Sequence, residues 1–223
     1  MKVNRAELLD GARGATGTVV IIDVFRAFTT AAFCISAGAR EIVLLGDHER
    51  ALAMKEADPS IFLTGEIDGK PIPGFDAGNS PSQIERLDLS GRRVVQRSTS
   101  GTQGVVSATR ANTVLLGSFV TARATARWLS LNADEVTLVA MGDGGTLRNE
   151  EDPACASYLE ALLTGVSVDP QVLLDRLPQW GQARWPWWFP RRDAELASEV
   201  DRFSFALPVY RENGLLVARP VFP

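Results

Sequence analysis

Strand-like and helix-like patterns alternate along most of this sequence, and that alternation limits the fold more than any other feature. Residues 18–23 (TVVIID) form an unbroken, mostly β-branched aliphatic run that ends on an acid. A run without polar alternation is typical of a central strand covered on both faces. Residues 26–37 then show alanine-rich helical periodicity up to Gly38, a common helix terminator. The first strand is therefore expected to lead directly into a helix.

The same alternation continues and then gives way to a different pattern. Further strands are predicted at residues 41–45, 61–64, 93–97, 113–116 and 135–141, and further helices at residues 49–57, from Ser82, and at residues 103–110, 120–131 and 151–163. Residues 205–210 and 215–218, joined by an Asn-Gly turn, predict a β-hairpin. The sequence therefore predicts an α/β fold, a three-layer α/β/α sandwich with a mixed, mainly parallel sheet and a C-terminal antiparallel hairpin. We expect one domain over residues 1–223, with an irregular, aromatic-rich segment at residues 178–192 within it.

Composition and charge narrow the class of protein. A chain of 223 residues that is 45% hydrophobic can bury a substantial core. A formal net charge of -4 and a pI near 5.2 argue against a nucleic-acid binder, which normally has a basic face. Residues 1–10 are polar and mixed, unlike a secretory leader, and no apolar run reaches the roughly 20 residues of a membrane span. We therefore expect a cytoplasmic protein that contacts neither nucleic acid nor membrane.

The metal-binding residue types favour magnesium over zinc. Cys34 and Cys155 lie far apart in apolar surroundings, which indicates buried free thiols rather than a disulfide. His48 is the single histidine, and zinc sites usually combine several His and Cys ligands. A chain rich in carboxylates and poor in histidine favours Mg²⁺, which prefers oxygen ligands.

Polar residues follow several of the predicted strands. They are Asp23, Glu66, Arg97 with residues 98–102, Gly117 with Ser118, and Asp143. In an open α/β sheet the ligand crevice lies beyond the carboxyl ends of the strands. We therefore expect these residues to converge at one edge of the sheet.

Residues 65–81 crowd glycines, carboxylates, an amide and a hydroxyl into one loop (GEIDG, then GFDAGNSP). Glycine lets a backbone bend tightly around a ligand, and such loops frequently carry function. The loop therefore indicates a site for a hard cation and an anion. Asp68 is given no role, because only its proximity supports one.

Residues 98–102 (STSGT) join a predicted strand to a predicted helix. Unpaired backbone N–H groups at a helix N-terminus favour an anion, and Arg97 adds a fixed positive charge. The turn would suit a phosphate or a sulfonate. The alternative is that the hydroxyl of Ser98, Thr99 or Ser100 only caps the helix.

The candidate magnesium ligands are Asp23, Glu66, Asp76, Glu151 and Asp152. Magnesium is commonly bound by one or two protein carboxylates together with waters and substrate phosphate. Glu151 and Asp152 have an alternative interpretation, as the acidic residues that are favourable in a first helical turn. Asp23 is the strongest candidate, because an acid that closes so apolar a strand is unusual as free surface.

An aromatic cluster precedes the predicted hairpin. It contains Trp180, Trp185, Trp187, Trp188 and Phe189, with Arg184, Arg191 and Arg192 close by. Such residues can stack on bases or sugars. A proline-interrupted aromatic run more often packs over a core or at a subunit interface. We therefore favour packing or a homo-oligomer contact.

Several motifs occur in a characteristic order. They are VIIDVFRA at residues 20–27 with Thr29 and Thr30, Gly65-Glu66 followed by GFDAGNSP, the STSGT turn, LGSF at residues 116–119, Glu151-Asp152 with Cys155-Ala156, and more weakly DRFSFALP at residues 201–208. In this respect the chain resembles the 2-phosphosulfolactate phosphatase family. The resemblance implies an α/β/α fold and a magnesium-dependent phosphatase that converts 2-phospho-3-sulfolactate to 3-sulfolactate and phosphate in coenzyme M biosynthesis. Ser100 stands where the family commonly has asparagine, so a different anionic metabolite stays an alternative substrate.

The resemblance and the strand-end pattern together lead to one mechanistic hypothesis. Mg²⁺ on the candidate carboxylates would hold a small phosphorylated acid, with Asp23, Arg26 and Arg97 acting in catalysis. The expected substrate-binding residues are Asn79, Ser80, Ser98, Thr99, Ser100, Gly101, Thr102 and Ser118. A metal-activated water would be the nucleophile, with an aspartyl or seryl phosphate as the alternative.

Two other classes of function stay open at this point. One is a catalytically silent module that binds a small anionic metabolite. The other is an interaction protein that uses the surface of residues 180–189.

Overall fold

Strands and helices alternate along the chain in the computed structural model, which describes residues 1–177 and 185–223. The strands are β1 (Lys2–Glu7), β2 (Gly17–Ile22), β3 (Glu41–Leu45), β4 (Phe62–Ile67), β5 (Lys70–Pro71), β6 (Arg93–Arg97), β7 (Ala111–Gly117), β8 (Glu135–Ala140), β9 (Leu207–Glu212) and β10 (Leu215–Ala218). The helices are α1 (Leu8–Gly14), α2 (Ala27–Ser36), α3 (His48–Ala57), α4 (Pro81–Ile84), α5 (Gly101–Ser107), α6 (Ala122–Asn132), α7 (Glu151–Thr164), α8 (Pro170–Leu174) and α9 (Arg191–Ala197). A short 3-10 helix, Phe119–Thr121, precedes α6.

The strands form one mixed sheet in which a hairpin joins two parallel groups. Among the described residues the strand order is β1-β8-β2-β7-β9-β10-β3-β6-β4-β5. Strands β1, β8, β2 and β7 run parallel to one another, and so do β3, β6 and β4. The β9–β10 hairpin lies between β7 and β3. Strand β9 pairs antiparallel with β7, and β10 pairs antiparallel with β3. The predicted α/β fold, with a mixed, mainly parallel sheet and a C-terminal hairpin, is confirmed.

The hairpin reverses the direction of the sheet and accompanies a strong bend. Three successive antiparallel pairings separate β7 from β3, so the two parallel groups run in opposite directions. Five steps separate β2 from β6 in the strand order, which is about 24 Å in a flat sheet. Nevertheless Gly101 N, just beyond β6, donates to Asp23 Oδ2, just beyond β2, at 2.7 Å. The strand ends therefore meet through curvature, not along the single straight edge expected of an open sheet.

Helices cover both faces of the sheet and complete three layers. Along β2, Val19 and Ile21 enter the core beneath α2 and α5, whereas Val20 and Ile22 enter a second core beneath α6 and α7. A third core lies beneath α3, on the second parallel group. Side chains that alternate between two buried faces explain why this strand reads as unbroken apolar sequence.

The first two elements, β1 and α1, are absent from the sequence-based prediction, which treats the first ten residues as polar and mixed. Strand β1 pairs only with β8 among the described strands, so one of its edges is open to solvent. Lys2 and Arg5 on this strand make surface ion pairs with Glu135 and Glu160. Charged residues are common on edge strands, where they oppose unwanted pairing. The polarity that hid this strand in the sequence therefore follows from its edge position.

Both cysteines are buried and free, as the sequence predicts. Cys34 lies within α2, and burial raises the pKa of its thiol. Cys155 lies within α7, and burial likewise raises its thiol pKa. No helix within residues 1–177 or 185–223 is long and apolar enough to cross a membrane.

Candidate active site

A cavity of about 390 Å³ lies where chain segments from both halves of the sheet meet. Its wall is formed by Asp23, Phe25, Arg26, Glu66, Asp68, Gly69, Asn79, Thr99, Ser100, Gly142, Asp143, Gly144, Glu151, Trp188 and Phe189. These residues come from the segments at the carboxyl ends of β2, β4, β6 and β8, from the segment before α4, from the start of α7 and from the segment before α9. Of the strand-end residues, Asp23, Glu66, Thr99, Ser100 and Asp143 therefore converge on the cavity, whereas Arg97, Gly117 and Ser118 do not line it.

Asp23, one residue beyond β2, is fixed by two backbone donors. Ala27 N donates to Oδ1 at 2.9 Å and Gly101 N donates to Oδ2 at 2.7 Å. The residue is only 5% exposed. Burial raises the pKa of Asp23 to about 6, and the negative charge of Glu66 acts in the same direction, against the two N–H groups and Arg26. The carboxylate can therefore exchange a proton near neutral pH.

Glu66, on β4, is held just as firmly by the turn that follows β6. Its Oε1 accepts a hydrogen bond from Thr99 N at 2.5 Å. Its Oε2 accepts from Thr99 Oγ1 at 2.9 Å and from Gly69 N at 2.6 Å. The carboxylate is thus locked on the cavity wall before any substrate is present.

The turn at residues 98–102 binds anions, but the anions are the protein's own carboxylates. Its N–H groups at Thr99 and Gly101 donate to Glu66 and Asp23. Ser98 and Thr102 bond to each other, Ser98 N to Thr102 Oγ1 at 2.8 Å and Thr102 N to Ser98 Oγ at 2.9 Å. Of the turn residues expected to bind substrate, Thr99 and Ser100 line the cavity, whereas Ser98, Gly101 and Thr102 do not.

The two acids that open α7 have separate positions. Glu151 lines the cavity, and Asn149 Nδ2 donates to its Oε1 at 2.9 Å. Asp152 lies behind the wall, where it accepts from Val24 N at 2.8 Å and Gly142 N at 2.9 Å. Burial raises the pKa of Asp152, with further contributions from the charges of Asp23 and Glu151. Asp152 therefore ties the segment after β2 to the segment after β8 without reaching the cavity.

Asp76 is not brought to the cavity. It is exposed, and its carboxylate forms an ion pair with Lys55 on α3. Its Oδ2 also accepts from Leu63 N of β4 at 2.7 Å. These contacts fasten the glycine-rich loop to the outside of the sheet, so Asp76 is withdrawn from the set of candidate metal ligands.

Arg26 lines the cavity, and protein partners accept from three of its five N–H groups. Its Nη1 donates to Asp193 Oδ2 at 2.8 Å and to the Trp188 carbonyl at 2.6 Å. Its Nη2 donates to the Gly69 carbonyl at 3.0 Å. Because Asp193 neutralises this buried guanidinium, Arg26 contributes less to binding a phosphate than the sequence suggested.

Arg97 lies behind the wall. Its Nη1 donates to the Glu66 carbonyl at 2.7 Å, and its Nε donates to the Gly46 carbonyl at 3.3 Å. Arg97 is absent from the residues that line the cavity, so its contacts support a structural role for it and not the predicted catalytic one.

The remaining predicted substrate-binding residues are divided between the wall and the interior. Asn79 lines the cavity, and its Oδ1 accepts from Gln96 Nε2 at 3.3 Å. Ser80 is turned away and donates its hydroxyl to Asp193 at 2.8 Å. Ser118 is buried off the cavity, and its hydroxyl has no hydrogen-bond partner among the described residues.

Several wall residues were missed by the sequence reasoning. Asp68, to which the sequence reasoning gave no role, lies on the wall, and its backbone N donates to Thr99 Oγ1 at 2.9 Å. Asp143 follows β8, which the strand-end pattern had signalled, and partial desolvation raises its pKa. Trp188 and Phe189 come from the aromatic cluster, whose irregular spacing gave no sign of which rings face inward. Trp180 and Arg184 of that cluster lie outside the described residues.

The charge of the wall fits a divalent cation. Five carboxylates line the cavity, those of Asp23, Glu66, Asp68, Asp143 and Glu151, and Arg26 is the one cation among its described lining residues. An anionic substrate can enter so negative a cavity only with cations that offset the charge. No three His, Cys, Asp or Glu side chains in the described part of the chain are grouped to hold an ion. An oxygen-rich wall of this kind suits a cation such as Mg²⁺, which one or two carboxylates can hold together with waters and a phosphate.

Comparison with known proteins places the cavity in a wider context. A family model described as 2-phosphosulpholactate phosphatase matches residues 4–176. A relative from Deinococcus radiodurans is 39% identical over 146 residues, which is 65% of this chain and 61% of that protein. One from Bacillus subtilis is 33% identical over 67% of this chain and 65% of its own length, and one from Caldicellulosiruptor saccharolyticus is 36% identical over 71% and 66%. All three are named probable 2-phosphosulfolactate phosphatase. The matches thus span less than two thirds of these relatives, and the family match stops before Trp188, Phe189 and Asp193.

Proposed function

The chain belongs to the 2-phosphosulpholactate phosphatase family, and from that premise we propose that it hydrolyses a small phosphate ester in the cavity lined by Asp23 and Glu66. The proposed substrate is 2-phospho-3-sulfolactate, the products are 3-sulfolactate and phosphate, and the cofactor is Mg²⁺. The relatives' names, probable 2-phosphosulfolactate phosphatase, support this substrate.

One observation carries this proposal, the fixation of Asp23. A carboxylate with a pKa near 6, held by two backbone N–H groups in a cavity, is suited to accept a proton at neutral pH. Perturbed carboxylates of this kind concentrate at functional sites. Glu66 and Glu151 line the same cavity and add further carboxylate oxygens to it.

Glu66 and Glu151 would hold the magnesium ion, which when bound supplies positive charge to the phosphate oxygens. The remaining steps belong to the chain's own groups. Asn79 and the hydroxyl of Thr99 lie on the wall, where they can orient a phosphate ester. Phosphoryl transfer depends chiefly on such positioning and on charge neutralisation.

Hydrolysis requires one proton to leave the attacking water and one to reach the ester oxygen. Asp23 would take the first proton as water adds to phosphorus and the ester P–O bond breaks. Asp143, exposed at the mouth of the cavity with a pKa raised by partial desolvation, is the candidate donor of the second.

The test is an assay of phosphate release from 2-phospho-3-sulfolactate, with Mg²⁺ and with a chelator. We expect activity with Mg²⁺ only, and we expect Asp23→Asn to lower kcat by about 10²–10⁴-fold. Asp76→Asn is the matched control, because this carboxylate lies in the same polar part of the chain but outside the cavity. Equal rates with Mg²⁺ and chelator would remove the metal, and full activity of Asp23→Asn would remove that residue.

A further inference from the structure

The segment before α9 contributes two aromatic rings to the cavity lining. Trp188 and Phe189 line it, whereas the neighbouring Trp187 is 78% exposed. Carboxylates, hydroxyls and an amide line the same cavity. The cavity therefore combines polar groups, which suit a phosphate and a cation, with aromatic rings that can contact the rest of an ester.

The rings of Trp188 and Phe189 are packed closely against neighbouring residues. A Cβ placed on Gly69 would lie 2.4 Å from Cζ3 of Trp188, so the indole rests directly on the backbone of Gly69. Phe189 meets Phe25 edge to face, with ring centroids 5.8 Å apart. The guanidinium carbon of Arg26 lies 4.5 Å from the centroid of the Phe189 ring.

Asp193 connects this segment to the rest of the site. It is completely buried, and its Oδ1 accepts from Ser80 Oγ at 2.8 Å and Ser82 N at 3.0 Å. Its Oδ2 accepts from Arg26 Nη1 at 2.8 Å, and the same nitrogen donates to the Trp188 carbonyl at 2.6 Å. Asp193 thus joins α9 and α4 to the guanidinium that holds Trp188 in place.

We propose that Trp188 and Phe189 form a specificity wall that restricts the substrate to phosphate esters of small alcohols, and that Asp193 is the positioning residue that fixes this wall through Arg26. The inference rests on the proposed function and names the substrate class of the same cavity. Because Asp193 neutralises Arg26, the wall presents ring faces and not a free charge. Because Gly69, Phe25 and Arg26 pack against these rings, the rings limit the space for an aryl or other bulky leaving group.

The first test compares a small and a bulky ester. We expect Trp188→Ala to change the ratio of kcat/KM for phenyl phosphate to kcat/KM for 2-phospho-3-sulfolactate by about tenfold or more in favour of phenyl phosphate. Trp187→Ala is the matched control and should leave the ratio at the wild-type value, because its ring points to solvent. A ratio that is unchanged in Trp188→Ala overturns the wall.

The second test concerns Asp193 itself. We expect Asp193→Asn to shift the same ratio in the same direction, whereas Glu195→Gln on the same helix should not. Ser80→Ala removes one of the hydrogen bonds to Asp193 and gives a milder version for use if Asp193→Asn does not fold. A loss of activity for both esters with an unaltered ratio would show a merely structural role and would overturn the positioning role.

A binding measurement separates failure of the wall from failure of the proposed function. Calorimetry with Mg²⁺, inorganic phosphate and phenyl phosphate needs no turnover. Trp188→Ala should raise the affinity for phenyl phosphate relative to that for inorganic phosphate, even in a protein that hydrolyses neither ester. A wild-type protein that binds neither anion overturns both proposals, whereas binding with no change of preference in Trp188→Ala overturns the wall alone.

Discussion

At Asp23, burial and hydrogen bonding act on the same carboxylate in opposite directions. Burial, joined by the charge of Glu66, outweighs the two N–H donors and raises the pKa from 3.8 to about 6. A carboxyl whose pKa is higher in the folded than in the unfolded protein binds its proton more tightly when folded. Ionised Asp23 therefore lowers the free energy of unfolding, and this penalty develops as the pH rises from about 4 to about 6.

The first prediction follows from this destabilising effect of ionised Asp23. In the presence of a chelator, the free energy of unfolding of the wild-type protein should fall, relative to that of Asp23→Asn, by about 2 kcal/mol between pH 4.5 and pH 7. The amide also leaves one of the two N–H groups without an acceptor, but that cost does not vary with pH. Urea unfolding at the two pH values measures the difference, and a constant difference would contradict the raised pKa.

Single residues of the site were predictable where sequence position alone decides their role. Asp23 directly follows an apolar strand, and Glu66 lies near the end of another. Their positions at strand ends predicted that both side chains would lie at the cavity. Asp76 and Asp68 lie in one loop, and sequence does not reveal which of them faces inward. Lys55, on another element, holds Asp76 outside the cavity. Contacts between distant segments therefore determine which of the two acids faces the cavity, and the sequence pattern does not contain that information.

At the scale of elements, Gly65 on β4 lies against the backbone of β6. A Cβ at this position would lie 2.2 Å from the Arg97 carbonyl oxygen, and neither strand can yield without loss of pairing. We predict that Gly65→Ala lowers the free energy of unfolding by about 1–3 kcal/mol, as overpacking does elsewhere. The same variant should lose activity, because the strain reaches Glu66, the next residue.

Gly14→Ala provides the control for this prediction. Nothing lies within 4 Å of a Cβ at Gly14, the last residue of α1. Urea unfolding and the phosphate-release assay should give values at or above those of the wild type for this variant. If Gly65→Ala is equally well tolerated, β4 and β6 are not packed as closely as the structure indicates.

Elements were predictable from periodicity, whereas their neighbours were not. Strands β3 and β6 have the bounds that the sequence predicts, residues 41–45 and 93–97. The hairpin was also predicted, but a hydrophobic pattern indicates that a strand is buried and not which strands flank it. Its place between β7 and β3 depends on pairings across most of the chain, and so no local signal could reveal it.

The central place of the hairpin gives a further prediction. Leu216 on β10 is paired with Leu44 of β3 on one side and Arg211 of β9 on the other. Proline in a strand that is paired on both sides removes ladder hydrogen bonds and clashes with its neighbours. Leu216→Pro should therefore abolish cooperative unfolding of the whole sheet, as followed by circular dichroism, whereas Phe222→Ala, at a residue 69% exposed, should retain it. Native-like unfolding of Leu216→Pro would show that the two parallel groups do not need the hairpin.

At the scale of the whole molecule, the concentration of buried negative charge predicts a response to magnesium. Asp23, Glu66, Glu151 and Asp152 are all buried within one region. A cation that binds only the folded protein stabilises it by about 2.7 kcal/mol at a hundred times its Kd. For a chain of this size that corresponds to a rise in Tm of about 5–10 °C.

Thermal unfolding with Mg²⁺ and with a chelator, at matched ionic strength, measures this effect. Glu66→Gln should reduce the rise in Tm, and Asp76→Asn should leave it near the wild-type value. Equal Tm values for the wild type in both conditions would argue against a magnesium site.

Size-exclusion chromatography of the wild type and of Trp187→Ala would test the homo-oligomer, which stays a prediction.

The position of the hairpin between β7 and β3 also affects folding during synthesis on the ribosome. Residues 207–218 close the sheet, and they leave the ribosome after both groups of parallel strands have been made. Until then β7 and β3 each present an unpaired edge, the kind of surface on which nascent chains aggregate. The Arg26–Asp193 ion pair likewise forms only after residue 193 has been made. The growing chain is therefore exposed to misassembly until residues 207–218 have been added, and the cavity that Arg26 lines lacks its ion-pair partner until the synthesis of α9.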